Sequence, residues 1–163
     1  MKHACLVLGV HAIYRGFGWI LMEGPSKPID WGVIEKKKDK NTQCLFAFER
    51  ILSRYHPDIL AIETFTAPSA SRATRIRRLY RAMLSTVEKR GIKVRTYARS
   101  EIRTTFSDSG ARSRYEIAQV IAKRIIAISD RLPKKRPVWE SERPNLALFC
   151  AAAAALTHFA NRD

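Results

Sequence analysis

Glu63 closes the run Ile59-Leu60-Ala61-Ile62-Glu63, in which four apolar residues of buried-strand type lead to a carboxylate. A carboxylate at such a strand end either pairs with a nearby arginine or serves as a metal ligand or acid–base group. Soon after it, Arg72, Arg75, Arg78 and Arg81 recur at spacings of three, with Arg77 beside them. On a helix this spacing spreads them along one broad face, either simply solvated or aimed at phosphates. Arg99, Arg103, Arg112 and Arg114 make a second cluster. Two arginine clusters following a strand-end acid fit contact with nucleic-acid phosphates, or are simply solvated faces.

The whole chain leans the same way. Thirty Lys and Arg stand against fifteen Asp and Glu in 163 residues, a net charge of +15. Such a surface repels itself unless counterions or a polyanion neutralise it, and nucleic acid gains by releasing its condensed counterions. An anionic membrane, or an acidic protein partner for a basic interaction module, is the alternative. The apolar fraction of 46% suits a packed core, and the length suits one domain over residues 1–163. Cys5, Cys44 and Cys150 are widely spaced and form no C-x-x-C pair, so neither a disulfide framework nor a structural zinc site is expected. The apolar run near the start is too short for a signal peptide or membrane span, and a reducing cytoplasm is the expected compartment.

The elements that must position these groups alternate. Cys5 to Val10 reads as a strand ended by His11-Ala12, Gly16 to Met22 as a second, and Ile29 to Glu35 as a third after the turn Gly24–Pro28. The run Lys36-Lys37-Lys38-Asp39-Lys40 follows. Leu45, Phe48, Ile51 and Leu52 mark a helix closing at His56-Pro57. Ile59–Glu63 is a fourth strand and Ser69–Arg90 a long helix stopped by Gly91. Ile92–Tyr97 is a fifth strand. Helices are expected near Ser100–Phe106, over Ser113–Ser129 and, after the basic connector Leu132–Pro137, from about Pro144 to Asn161. Three consecutive strands followed by strands separated by helices predict one mixed sheet, an antiparallel hairpin extended by parallel strands.

Several stretches together resemble the RuvC family of Holliday-junction resolvases, within the ribonuclease H-like superfamily. Leu8-Gly9-Val10-His11 followed by Gly18-Trp19 is similar to the family's first hairpin, in which an Asp ends the first strand. Leu60-Ala61-Ile62-Glu63-Thr64-Phe65 resembles its second catalytic strand. Tyr97 to Phe106 with Gly110-Ala111-Arg112-Ser113 resembles its DNA-contacting segment, and Cys150 through Leu156-Thr157-His158-Phe159 its last helix. The resemblance spans nearly the whole chain and implies a ribonuclease H-like mixed five-stranded sheet flanked by helices.

It also implies a site. The family's chemistry needs clustered carboxylates to hold two Mg²⁺ ions, or Mn²⁺, around a phosphodiester. Carried over position by position, the first acid falls on His11, the second on Glu63, and the two of the last helix on Ala147 and Cys150. Glu63 is the only acid in register; Glu140 and Glu142 lie just upstream of the last helix. The resemblance therefore nominates Glu63, His11, Glu142 and Cys150 for catalysis and Glu63 with His11 for metal. Each has a plainer reading: His11 as a neutral hydrogen-bonded imidazole, Cys150 as an inert buried thiol, Glu63 as an acid paired with an arginine. Together, His11, Glu63 and Cys150 would make a soft donor set better suited to Zn²⁺. Arg72, Arg75, Arg78, Arg99, Arg103, Arg112 and Arg114 are the expected DNA contacts. Phe65 follows Glu63 at a shorter offset than the family's aromatic wedge.

Two functions follow as expectations. One is a protein that recognises branched or structured DNA as a homodimer, with an impaired catalytic centre and no metal requirement. The other is an active metal-dependent structure-specific endonuclease using Glu63, Glu140 or Glu142, and His11.

Overall fold

A computed structural model describes residues 4–65, 71–136 and 143–162, without the side chains of Ser71 and Arg72. Its first strand, β1 (Val7–Ile13), turns through Tyr14-Arg15 into β2 (Gly16–Gly24), which pairs antiparallel with β3 (Lys27–Glu35). Helix α1 (Lys40–Tyr55) then leads to β4 (Ile59–Glu63), parallel to β1, and α2 (Ser71–Lys89) to β5 (Lys93–Tyr97), parallel to β4. The sheet order is β3-β2-β1-β4-β5. The last three helices are α3 (Arg99–Thr105), α4 (Arg114–Arg124) and α5 (Asn145–Asn161). The expected mixed five-stranded sheet flanked by helices is the fold.

Strand alternation divides the core into two layers. Leu8, Val10, Leu60 and Ile62 point to one face, where Phe48 and Leu52 of α1 and Leu79, Met83 and Val87 of α2 cover them. Val7, Ile20, Met22 and Ala61 point to the other, against α5 and the buried faces of α3 and α4. The same alternation sends His11, two past Gly9, and Glu63, two past Ala61, toward the α5 face.

Helix α5 is buried from Leu146 to Phe159, as a helix apolar on all sides must be. Its alanines let it lie unusually close to β1 and β2. A Cβ on Gly9 would stand 2.2 Å from the Ala151 carbonyl oxygen, and one on Gly18 2.3 Å from the Ala147 carbonyl carbon. This close approach lowers Cys150 onto the parts of β1 and β4 that carry His11 and Glu63.

Two elements depart from expectation. The first strand does not end at His11: it runs two residues further along the register His11↔Gly18 to Ile13↔Gly16, because β2 is long enough to pair with it. The helix expected over Ser113–Ser129 stops at Arg124 and becomes a 3₁₀ segment over Ile126–Arg131. No Gly or Pro breaks it there. Tertiary packing decides: with the turn at Ile125, both Ile125 and Ile128 reach the core while Ile126 is left exposed.

Candidate functional site

The site lies where β1 and β4 meet the start of α4. Glu63, the last residue of β4, is 9% exposed. His11 Nδ1 stands 4.0 Å from its Oε2. Arg114, the first residue of α4, donates from Nη2 to the same oxygen at 2.8 Å and from Nη1 to Cys150 Sγ at 3.7 Å. Arg99, the first residue of α3, brings Nη1 to 3.9 Å from Glu63 Oε1. His11, Glu63 and Cys150 therefore converge, with a guanidinium between the last two.

Local sequence explains how the arginines are presented. Ser113 caps α4 by accepting from the Glu116 N–H at 3.0 Å, and the Glu116 carboxylate accepts from the Ser113 N–H, a reciprocal capping box. Glu101 likewise accepts from the Ala98 N–H at 2.7 Å at the start of α3. Both helices begin firmly, and each directs its first side chain at Glu63. Arg99 also donates to the Arg112 carbonyl at 3.4 Å, linking the two segments.

The electrostatics are those of an occupied ion pair. Burial first, then Arg114 and Arg99, drive the His11 pKa down to about 3, so its imidazole is neutral at physiological pH. Burial opposes the charge of Arg114, but Cys150 and Glu63 outweigh it and raise its pKa above the ordinary value. One carboxylate thus faces two guanidiniums and a neutral imidazole. Glu63 Oε1 has no hydrogen-bond partner and faces Arg99 at ion-pair distance.

His11 carries a consequence for stability. Its native pKa lies below the unfolded value of 6.5, so between pH 6.5 and about 3 the unfolded chain binds a proton that the native chain does not. Its contribution is complete above pH 6.5 and is lost as pH falls. The melting temperature is expected to drop on acidification from pH 7 to pH 4, less steeply for His11→Asn than for the unmodified protein. Parallel slopes in differential scanning fluorimetry would contradict a neutral, half-buried His11. His158, lowered mainly by burial, adds a slope of the same sign to both proteins.

These residues do not fit a pair of divalent cations. Mg²⁺ requires hard oxygen ligands and usually carboxylates, and among the described residues the site offers one, already bonded to a guanidinium. Among the described residues no three of His, Cys, Asp and Glu are grouped to hold a metal ion, which also withdraws the soft zinc set. Glu140 and Glu142 lie outside the described residues. The plainer reading of Glu63, an acid paired with an arginine, is the arrangement found.

The remaining arginines fall on two sides. Arg103 and Arg112 are exposed beside Arg99 and Arg114. Arg78 and Arg81 are exposed on α2 and Arg75 is half-buried, whereas the Arg72 side chain lies outside the described residues. Phe65 stacks at 5.8 Å on Tyr80, with Arg77 5.7 Å from its ring, so it is held against α2. Sequence reasoning assigned Arg114 to DNA and missed it as the partner of Glu63. It also missed the buried bond between Tyr97 Oη and His158 Nδ1 at 2.8 Å, which no local pattern signals.

Comparison with known proteins agrees with this fold. The fold matches Thermus thermophilus RuvC in complex with Holliday junction substrate at a TM-score of 0.71 and 17% identity, covering 94% of this chain and 92% of that one. A second Thermus thermophilus RuvC structure matches at 0.68 and 20% over the same shares. The yeast mitochondrial Holliday junction resolvase Ydc2 matches at 0.57 and 12%, covering 96% and 80%. A search of the curated proteins finds no match. The family described as crossover junction endodeoxyribonuclease RuvC matches residues 8–139, a span that takes in His11, Glu63, Arg99 and Arg114. With that span, this sheet order and a strand-end Glu63 at the centre, the chain belongs to the RuvC family.

Proposed function

We propose that this protein binds branched DNA through its basic surfaces and does not cleave it by the family's metal-dependent route. The observation that carries this reading is the Arg114–Glu63 pair at 2.8 Å. A tethered cation occupies the carboxylate that divalent ions would need, and a neutral imidazole and a thiol stand where further acids would be required. The exposed Arg103 and Arg112 are left to contact phosphates, with positioning rather than base reading as their role. Recognition by backbone geometry suits a homodimer whose two-fold axis matches that of a four-way junction.

One observation favours the second reading, an active metal-dependent endonuclease: the buried Oε1 of Glu63 lacks a hydrogen-bond partner, as a ligand oxygen would. Cleavage assays separate the two.

Binding is tested by salt titration. Affinity for four-way DNA, followed by fluorescence anisotropy, is expected to fall by about 10³-fold or more between 50 and 200 mM salt if six or more phosphates are contacted. Charge reversal of Arg103 and Arg112 should weaken binding to all base sequences about equally. A flat salt response would remove the nucleic-acid reading and promote the basic protein-interaction module.

A further inference from the structure

The lysine run after β3 takes no part in the site around Glu63, yet the fold builds a second surface from it. The Lys36 N–H donates to the Arg15 carbonyl at 2.8 Å, stitching the end of β3 to the β1–β2 turn. The Tyr14 ring, in that turn, carries Lys40 Nζ at 4.1 Å and the Arg75 guanidinium at 5.1 Å from its centroid. Asn41 Nδ2 donates to the Arg75 carbonyl at 3.3 Å, tying the start of α1 to α2. Arg15, Lys37 and Lys38 are exposed around this knot.

The charge arrangement is costly in the free protein. Lys40 opens α1, where the N-cap Asp39 is the one acid at the positive end of the helix dipole, and α2 has no acid in its first turn. Glu35 and Asp39 are the only acids between residues 35 and 40, too few to neutralise the neighbouring lysines and arginines. A polyanion would do so. The cation–π contacts hold Lys40 and Arg75 in place before any ligand arrives, which lowers the ordering cost of binding.

Position supplies the rest. The turn lies three residues beyond His11 along β1, about 10 Å at the usual strand rise. Its Tyr14 ring lies against Lys40 of α1 and Arg75 of α2, whereas Arg99 and Arg114 stand at the start of helices on the α5 face. Resting on the branched-DNA reading above, we infer that Tyr14, Arg15, Lys37, Lys38, Lys40 and Arg75 form a second DNA surface that takes the phosphate backbone of one duplex arm. The Arg103–Arg112 side takes another arm, and the sheet end bearing Glu63 lies at the branch between them. Two basic surfaces flanking one sheet end match diverging arms; a single straight duplex engages one of them at a time.

The test compares the full chain with Lys37→Glu/Lys38→Glu on four-way DNA and on linear duplex of equal length, by fluorescence anisotropy across a salt series. The expected result is about a tenfold loss on four-way DNA near 0.1 M salt, with the salt slope reduced by about 2. Loss on linear duplex is expected to be smaller, so preference for the junction shrinks. Tyr14→Phe should bind like the unmodified protein and Tyr14→Ala several-fold more weakly, with unchanged circular dichroism in both. Unchanged junction affinity and slope in the double variant, beside a steep salt response of the unmodified protein, would overturn this surface and leave the branched-DNA reading standing. Equal losses on both DNAs would overturn the two-arm assignment. A flat response of the unmodified protein would overturn both.

Discussion

Four-way DNA incubated with the purified protein and Mg²⁺, Mn²⁺ or Zn²⁺ is expected to remain uncut. Losing one metal ligand or its supporting partner typically costs about 10–100-fold in metal affinity or activity. Here, of the four positions at which the family resemblance implies acids, His11, Ala147 and Cys150 are not acidic. The fourth, Glu63, is bonded to Arg114 at 2.8 Å. The paired substitution His11→Asp with Cys150→Asp is expected to restore some metal binding, and nicking with it. Both positions already converge on Glu63, within 4.0 Å for His11, so new carboxylates would arise where they can share an ion. Isothermal titration with Mn²⁺ should register this gain independently of cleavage. Robust cleavage by the unmodified chain that is abolished by Glu63→Gln would reverse the proposed function and establish the endonuclease. Cleavage surviving Glu63→Gln would place the activity outside this site.

The second large effect is on stability. Gly18→Ala is expected to destabilise the fold by about 3 kcal/mol, the upper part of the usual overpacking range. Its new methyl would lie 2.3 Å from the Ala147 carbonyl carbon and 2.5 Å from the Leu148 nitrogen. These are backbone atoms of a helix buried on every side, so they can yield only if α5 moves off the sheet as a body. Gly9→Ala meets the Ala151 carbonyl oxygen at 2.2 Å and should behave alike. Gly24→Ala, where a Cβ meets nothing within 4 Å, is the control and should unfold with the unmodified protein. Urea denaturation followed by circular dichroism measures all three. A Gly18→Ala midpoint indistinguishable from that of Gly24→Ala would show that α5 is not seated as described. The same experiment bears on function, because displacing α5 would also separate Cys150 from Arg114.

Much of this protein is legible in its residues. Strand alternation marks which of Leu8, Val10, Leu60 and Ile62 are core, and it sends His11 and Glu63 to the opposite face, because a pleat permits only two directions. The Ala-rich run after Asn145 identifies a helix that must be buried, and the charge of +15 makes a polyanionic partner the natural expectation. Composition and local patterns carry these readings. They could not show that α4 would stop at Arg124, since nothing between Ser113 and Ser129 forbids a helix and only the core decides where Ile125 and Ile128 go. Nor could they distinguish Arg114 from Arg112. The two are neighbours of one type in sequence, but the capping box at Ser113 starts a helix between them, leaving Arg112 exposed and turning Arg114 onto Glu63. Sequence alone thus determined the two-faced sheet, the buried last helix and the convergence of His11, Glu63 and Cys150 implied by the family. Tertiary structure alone decided that a guanidinium stands among them, because ion pairing depends on distances between segments 51 residues apart, which no local pattern encodes.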